Sequence, residues 1–505
     1  MLAQISLFSL FSLFPLLFCI FFFFTKTNKN PSSVELPKSY PLVGSFFAVF
    51  ANRHRRLQWL SDLLQISPAA TFTLHRLFGQ RQVFTADPAA VHHILKTHFH
   101  IYQKGHSFRS TLTDFLGDGI FNADGHSWKF QRQVSSHEFS TRSLRKFVES
   151  VVDVELSDRL LPILRSAATA PSVLDLQDVL QRFAFDNVCK IAFGYDPAYL
   201  SPSFGQSKFA MAFEDAVRIS SGRFASLLPI VWKVKKFLDI GSEKRLRIAI
   251  SEVRGYAKNI IEEKKNEIKT NASIDSVDLL SRFLSSGHSD DNFVADIVIS
   301  FILAGRDTTS AALTWFFWLL SKYPEVEDRI LDEINDKSEI SGGGYDEVKD
   351  LVYTHAALCE SMRLYPPVPV DGKEAAEDDV LPDGTAVRKG ERVAYHPYAM
   401  GRLESIWGSD WAEFRPERWL ERDGPAKWRF VGRDNYTYPV FQAGPRICLG
   451  KEMAFLQMKR MVAGILKRFR VVPAAEEGGE PKFVQYMTAK MEGGFPVRIE
   501  EREVW

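Results

Sequence analysis

The chain opens on a mostly apolar stretch. No position from Met1 to Thr25 is charged, and Phe, Leu and Ile fill most of them. A helix rises about 1.5 Å per residue, so ~20 apolar residues cross a bilayer. The stretch predicts a membrane anchor over residues 1–25. The alternative is a cleaved signal peptide, with an apolar region of about 7–15 residues ahead of a small-residue cleavage site. Here the run is longer and no such site follows. Lys26 and Lys29 come next, and positive flanks stay inside, so the bulk of the chain is expected in the cytosol. Pro37, Pro41 and Gly44 favour extended and turn backbone, a stiff hinge over residues 26–45.

Beyond the hinge, Arg53–Gln65 repeats apolar positions at helical spacing. Thr71–Leu77 and Arg81–Thr85 flank Phe78-Gly79-Gln80 and predict a hairpin. Asp87-Pro88 opens another helix, with proline at its first position. Helical patterns dominate from there, and strand signals return at Val380–Tyr395 and near the C-terminus. One helix, from about Asp291 to Tyr323, is apolar on nearly all faces over Ile297–Leu320. Such a helix is deeply buried or spans a membrane. Arg306 and Asp307 lie at its middle, where hydrocarbon penalises both, which favours the centre of a soluble core. The class is mainly α with small sheets.

Composition narrows the function. The chain has 505 residues, 45% hydrophobic and 25% charged, enough for a large core. Its net charge of +1 gives no overall attraction to nucleic acid. Cys19, Cys189, Cys359 and Cys448 stand far apart, too few for a disulfide framework and without a C-x-x-C pair. The 12 histidines show no metal-ligand spacing.

Cys448 is different. Phe441-Gln442-Ala443-Gly444-Pro445-Arg446-Ile447-Cys448-Leu449-Gly450 leads into a helical pattern from Lys451 to Arg468. A cysteine just ahead of a helix N-terminus has its thiolate favoured by the dipole and nearby amides, which suits a metal. Gly444 and Gly450 permit a tight loop and a close approach to a flat ligand. Phe441 can shield the sulfur, and Arg446 offers a cation to a carboxylate. A lone cysteine is usually structural, but the pattern F-x-x-G-x-R-x-C-x-G arises by chance in roughly one such chain in ten thousand.

With these residues the chain resembles the cytochrome P450 superfamily of haem-thiolate monooxygenases, over nearly its whole length. The resemblance implies that fold: a helical haem domain, residues 46–505, with a long central helix and small β-sheets. It also implies haem b with Cys448 as axial thiolate, which donates electron density to the iron and favours O–O cleavage. Dioxygen is the co-substrate. The chain has no nicotinamide or flavin module, so electrons are expected from elsewhere, and the resemblance implies NADPH through a separate membrane-bound reductase.

The remaining motifs stand in the family's order. Ala304-Gly305-Arg306-Asp307-Thr308-Thr309 looks like the oxygen-activation motif. Gly305 would leave room above a haem, and Asp307 and Thr308 would relay protons. The plainer alternative makes Asp307 half of a buried ion pair and Thr308 a hydroxyl bonded back along its helix. Glu360 and Arg363 form the E-x-x-R element, one helix face at i, i+3. The resemblance joins them to Arg418 in a buried network bracing the cysteine loop. Trp128 and Arg132, one turn apart, would reach one haem propionate. Lys373 stands where many relatives carry Arg or His for the other.

Longer stretches, Asp114–Gly125, Phe183–Pro197, Tyr395–Trp407 and Tyr438–Phe455, are similar to plant fatty-acid hydroxylases acting at or beside the terminal methyl. Neighbouring subfamilies oxidise jasmonoyl-isoleucine. Either substrate is an amphiphilic acid, which needs an apolar channel and a cation near its mouth. Candidate cations are Lys104, His106, Arg109 and Arg81, each of which is otherwise a solvated surface charge. Lys451, Lys459, Arg460, Lys467 and Arg468 form either a basic patch for an acidic flavin domain or a solvated helix face. The expected location is the endoplasmic reticulum membrane, single-pass, with a cytosolic catalytic domain. Two rivals remain: a haem sensor without turnover, which has no need of Asp307-Thr308, and a reductase-independent hydroperoxide isomerase, whose kind departs from that acid–threonine pair.

Overall fold

The computed structural model describes residues 36–503 apart from 171, 203–204, 206, 271–277, 287–289, 342–343, 425–427 and 475–479. The anchor assigned to residues 1–25 and the start of the hinge, residues 26–35, lie outside the described residues. Among the described residues, no helix is long and apolar enough to cross a membrane. The described end of the hinge is a closed turn around Pro41. Tyr40 and Gly44 exchange amide–carbonyl bonds of 3.0 and 2.8 Å.

The apolar stripes set the order of elements. Helix α1 (Arg56–Ile66) buries Leu57, Leu60, Leu63 and Leu64. The hairpin forms as β1 (Thr71–His75) and β2 (Arg81–Thr85). Short β3 (Tyr102–Gln103) precedes α2 (Gly105–Leu116) and α3 (Gly125–Ser136). Helix α4 (Leu176–Phe193) is capped by the Asp175 carboxylate, which accepts from the amides of Gln177 and Asp178. It stops at Gly194 in the left-handed region, φ +64. Then come α5 (Lys208–Ala225), α6 (Gly241–Thr270), α7 (Asp291–Leu320) and α8 (Val352–Leu364). Strands β4 (Asp371–Ala375) and β5 (Arg392–Tyr395) and helix α9 (Lys451–Leu466) complete the frame.

Helix α7 is the centre. Its N-cap Asp290 accepts from the Asn292 amide at 2.9 Å. Helix α4 packs along it, α6, α8 and α9 lie against it, and part of it borders a large cavity. Arg306 and Asp307 are both buried in protein, so the all-round apolar pattern marked a core helix. The five-stranded sheet runs β1-β2-β5-β4-β3. β2 and β5 are parallel, Gln82 beside Arg392, and the other pairings are antiparallel. The strand signals over Val380–Tyr395 resolve into three short strands. Asp379–Val380 and Ala386–Val387 form a two-residue ribbon, and only β5 joins the sheet.

Candidate functional site

Cys448 lies in the loop that runs into α9. Its amide donates to Phe441 O at 2.8 Å and closes the loop on itself. Gly444 sits at φ +63, and a Cβ there would stand 2.0 Å from Leu95 O, so no other residue fits. Gly450 has an ordinary φ of −86. A Cβ on it would meet Phe139 at 3.6 Å and the Cys448 sulfur at 4.0 Å, ordinary contacts, so the open face beside the sulfur is its contribution. The Cys448 side chain is exposed, but into an internal cavity of about 1130 Å³ rather than at the outer surface. Burial pushes its thiol up, while the Gly450 amide, Arg132 and Lys451 favour the thiolate. Phe441 packs on Phe455, ring centroids 5.1 Å apart, and borders the same cavity.

Charge on this wall is unbalanced. Asp371, on β4, accepts from Lys104 Nζ at 3.1 Å, Lys373 Nζ at 3.1 Å, Tyr395 Oη at 3.0 Å and Gln442 Nε2 at 2.7 Å. The two ammonium groups hold its carboxyl well below the usual range against the cost of burial. Arg446 donates to Asp124 at 2.7 Å and to Ala123 O at 3.0 Å, and lies 4.5 Å over the Trp128 ring. Arg132 faces Cys448 and has no carboxylate partner among the described residues. Four cations thus meet two carboxylates. Lys373 shows the shortage: burial, with repulsion from Lys104 and Arg446, pushes it down to about 7 despite its bond to Asp371. Two negative charges are missing, and the two propionates of a haem bring that number. An accessible sulfur beneath a large cavity, an unpaired arginine and an indole beside it complete the fit.

Helix α7 forms the facing wall through Ala304, Gly305, Thr308 and Thr309. Thr308 Oγ1 donates to Ala304 O at 2.6 Å. Asp307 does not line the cavity. It is fully buried, and Arg306 Nη1 stands 3.0 Å away, poorly aligned, so neither carboxylate oxygen has a hydrogen-bond donor among the described residues. Both geometries of the plainer reading are therefore present, and Thr308 still lines the cavity. Gly305 lines the cavity beside Thr308. A Cβ there would also stand 2.5 Å from the Val188 side chain, so this glycine lets α4 approach α7 as well.

Glu360, Arg363 and Arg418 do come together, in a buried cluster between α8 and residues 401–419. The four cations expected at a channel mouth do not. Arg81 pairs with Glu391 at 3.3 Å, Arg109 pairs with Asp118 at 3.1 Å on the surface, and His106 is exposed. None of the three lines the cavity. Lys104 does, but bound to Asp371 it belongs with the propionate cations. The reductase patch is also thinner than the helix pattern implied. Lys459 is buried, donating to Lys349 O at 2.8 Å, and Arg460 pairs with Asp153. Lys451, Lys467 and Arg468 remain toward solvent. Sequence reading missed Asp371, although its i, i+2 spacing to Lys373 in a strand puts both on one face. It also assigned no histidine to metal, whereas the fold brings His93, His98 and Asp379 together. Asp379 accepts from both rings, at 2.8 and 3.0 Å, and from Tyr102 Oη at 2.8 Å, so hydrogen bonds account for the cluster.

Comparison with known proteins agrees with this geometry. The family model described as cytochrome P450 matches residues 34–495. Cytochrome P450 94A2 of Vicia sativa is 65% identical over 480 residues, covering 94% of this chain and 93% of that one. Cytochrome P450 94A1 of Vicia sativa is 64% identical over 471 residues, covering 93% and 91%. Cytochrome P450 94B1 of Arabidopsis thaliana is 49% identical over 488 residues, covering 96% and 95%.

Proposed function

The chain belongs to the cytochrome P450 family, a family of haem-thiolate monooxygenases fed by a redox partner, and on that premise we propose that it hydroxylates fatty acids at or beside the terminal carbon. The observation that carries the reading is the single cavity that holds Cys448, Thr308 and a long apolar wall including Leu112, Leu116, Phe121 and Leu303. Ligand pockets usually measure about 300–1,000 Å³. This one exceeds that range, leaving room for a long apolar chain beside a haem.

Each residue then has a task. Bound haem supplies dioxygen activation at its iron. Cys448 provides the thiolate, held in the field of Arg132, Lys451 and the Gly450 amide. Trp128, Arg132, Lys104 and Lys373 hold the propionates, with Arg446 braced behind them on Asp124. Thr308 is the group that touches the reacting space. Turning its O–H from Ala304 O toward the cavity passes a proton forward, and Asp307, without a donor of its own, is the acid behind it.

NADPH is the electron source, through a reductase docking at the cysteine side. The place is the endoplasmic reticulum membrane, with the catalytic domain in the cytosol. Supporting a membrane-bound state, the helix Pro229–Phe237 exposes Ile230, Val231, Val234 and Phe237, and the β1–β2 turn exposes Phe78. Microsomes containing the full chain, given medium- to very-long-chain acids with NADPH and oxygen, are expected to yield acids hydroxylated at the last or penultimate carbon. None should form without NADPH. Absence of any hydroxylated fatty acid, or oxidation of jasmonoyl-isoleucine alone, overturns the reading.

A further inference from the structure

Three arginines face the same cavity, and among the described residues none of them forms an ion pair. Arg56 opens α1, Arg76 follows β1, and Arg392 opens β5. The sheet register brings two of them together. Gln82 of β2 lies opposite Leu74 on one side and beside Arg392 on the other, and Arg76, two residues beyond Leu74, shares that face. Arg76 donates to Gln82 Oε1 at 3.2 Å and to Ser226 O at 3.3 Å. Arg392 lies 5.5 Å over the Phe224 ring. Among the described residues, no carboxylate oxygen comes within ion-pair distance of any of the three, and Arg56 and Arg392 have no side-chain hydrogen bond. All three line the cavity that contains Cys448.

This is a costly arrangement. Burial and the repulsion of its neighbours push Arg56 down to about 10, burial and Arg76 bring Arg392 to about 10 although Glu374 and Asp371 act the other way, and burial lowers Arg76 as well. Arg56 also sits at the positive end of a helix with no acid in its first turn, where the dipole opposes a cation. Buried charges are normally paired, and a fold that keeps three alike side by side stores a site for a missing anion. The location suits an amphiphile. Arg76 stands beside the turn that exposes Phe78 and bonds to Ser226, just ahead of the helix Pro229–Phe237 with its exposed Ile230, Val231, Val234 and Phe237 and its three lysines. The haem propionates are served by a different set of cations around Asp371.

We propose that Arg56, Arg76 and Arg392 form the subsite that takes the substrate's carboxylate, its apolar tail running on toward Cys448. This rests on the fatty-acid reading above, and it replaces Arg81, His106, Arg109 and Lys104 in that role. A guanidinium fork matches a carboxylate in two parallel bonds, and Gln82 holds Arg76 in place for it.

The test compares laurate with methyl laurate, on holoprotein carrying Arg56→Gln, Arg76→Gln or Arg392→Gln. Charge-assisted bonds of this kind shift affinity by roughly 10-fold or more. Each variant is expected to raise Kd for laurate about 10-fold by that measure and to leave methyl laurate unchanged. Arg392→Lys, which keeps the charge, should recover most of the loss. Arg56→Gln has a second readout. A merely structural arginine would lower Tm when removed, whereas relief of repulsion should leave Tm unchanged or raise it. Equal effects on acid and ester, no effect on either, or a fall in Tm for Arg56→Gln overturns the subsite. Wild-type protein that binds and hydroxylates no fatty acid overturns the reading beneath it, and wild-type turnover with unaltered variants overturns the subsite alone.

Discussion

Cys448→Ala is expected to abolish the thiolate-type absorption band of the reduced, carbon-monoxide-treated protein and to take monooxygenase turnover below detection, with little change in apoprotein Tm. No other described cysteine can take over. Cys189 and Cys359 are buried away from the cavity, and burial pushes both thiols far up, so neither offers a thiolate. The Cys448 side chain faces open space, so its removal leaves no packing void of the kind that makes core truncations costly. The loop is held by other bonds: the amide of residue 448 to Phe441 O, Gly444 against Leu95, and Arg446 on Asp124. Cys448→Ser separates shape from chemistry. It retains the size and a hydroxyl but loses the soft anionic ligand, and the same loss of band and turnover is expected. Absorption spectroscopy and thermal melts of the purified variants check both halves. A variant that keeps the band places the iron ligand elsewhere and removes the basis of the site described above.

What could be read from the sequence was local. The loop around Cys448, the pair Glu360 and Arg363, and Trp128 with Arg132 each lie within one turn or one loop, so spacing alone fixed their geometry. Helix α7 was legible because an apolar residue on nearly every face has few other homes. The charges that gather across the chain were not. Lys104 meets Asp371 across 267 positions, and Arg76 meets Arg392 only because β2 pairs in parallel with β5. Strand β4 reads Asp-Gly-Lys-Glu-Ala and has little strand propensity of its own. Its neighbours on both sides hold it extended, which is tertiary context overriding local preference. The contact of Gly305 with Val188 was illegible for the same reason: a one-dimensional pattern does not say which helix approaches. The candidate mouth cations came from the loop before Trp128 and from Arg81 of the hairpin, whereas the three cavity arginines come from a helix and two strand ends that only the tertiary fold brings together.

Glu360→Ala is expected to destabilise the holoprotein by about 3–5 kcal/mol, the cost of breaking a buried ion pair by removing one partner. The carboxylate is fully enclosed and saturated. Oε1 accepts from Arg363 Nη2 at 2.7 Å, Arg418 Nε at 3.1 Å and the Arg415 amide at 3.1 Å. Oε2 accepts from Arg363 Nε at 2.8 Å and Trp419 Nε1 at 3.0 Å. Arg363 is equally enclosed, and its other bonds are to the carbonyls of Trp411 and Glu413 at 2.7 and 3.0 Å and of Gly401. Without Glu360 it is a buried cation surrounded by neutral acceptors. Arg418 is better placed to survive, because it keeps Asp410 at 2.8 Å, so Arg418→Ala should cost less than Glu360→Ala. The cluster ties α8 to the segment that carries Trp419, whose ring packs at 4.7 Å on Tyr438. Tyr438 Oη in turn donates to Cys359 O at 2.9 Å, immediately before the cysteine loop. Loss of Glu360 should therefore loosen haem retention as well as lower Tm. Replacing Glu360 and Arg363 together by apolar residues of similar volume should cost much less than the two single changes summed, since no charge is stranded. Denaturant or thermal unfolding of the three variants measures this directly. Additive losses would mean that the pair acts through shape and packing instead of charge.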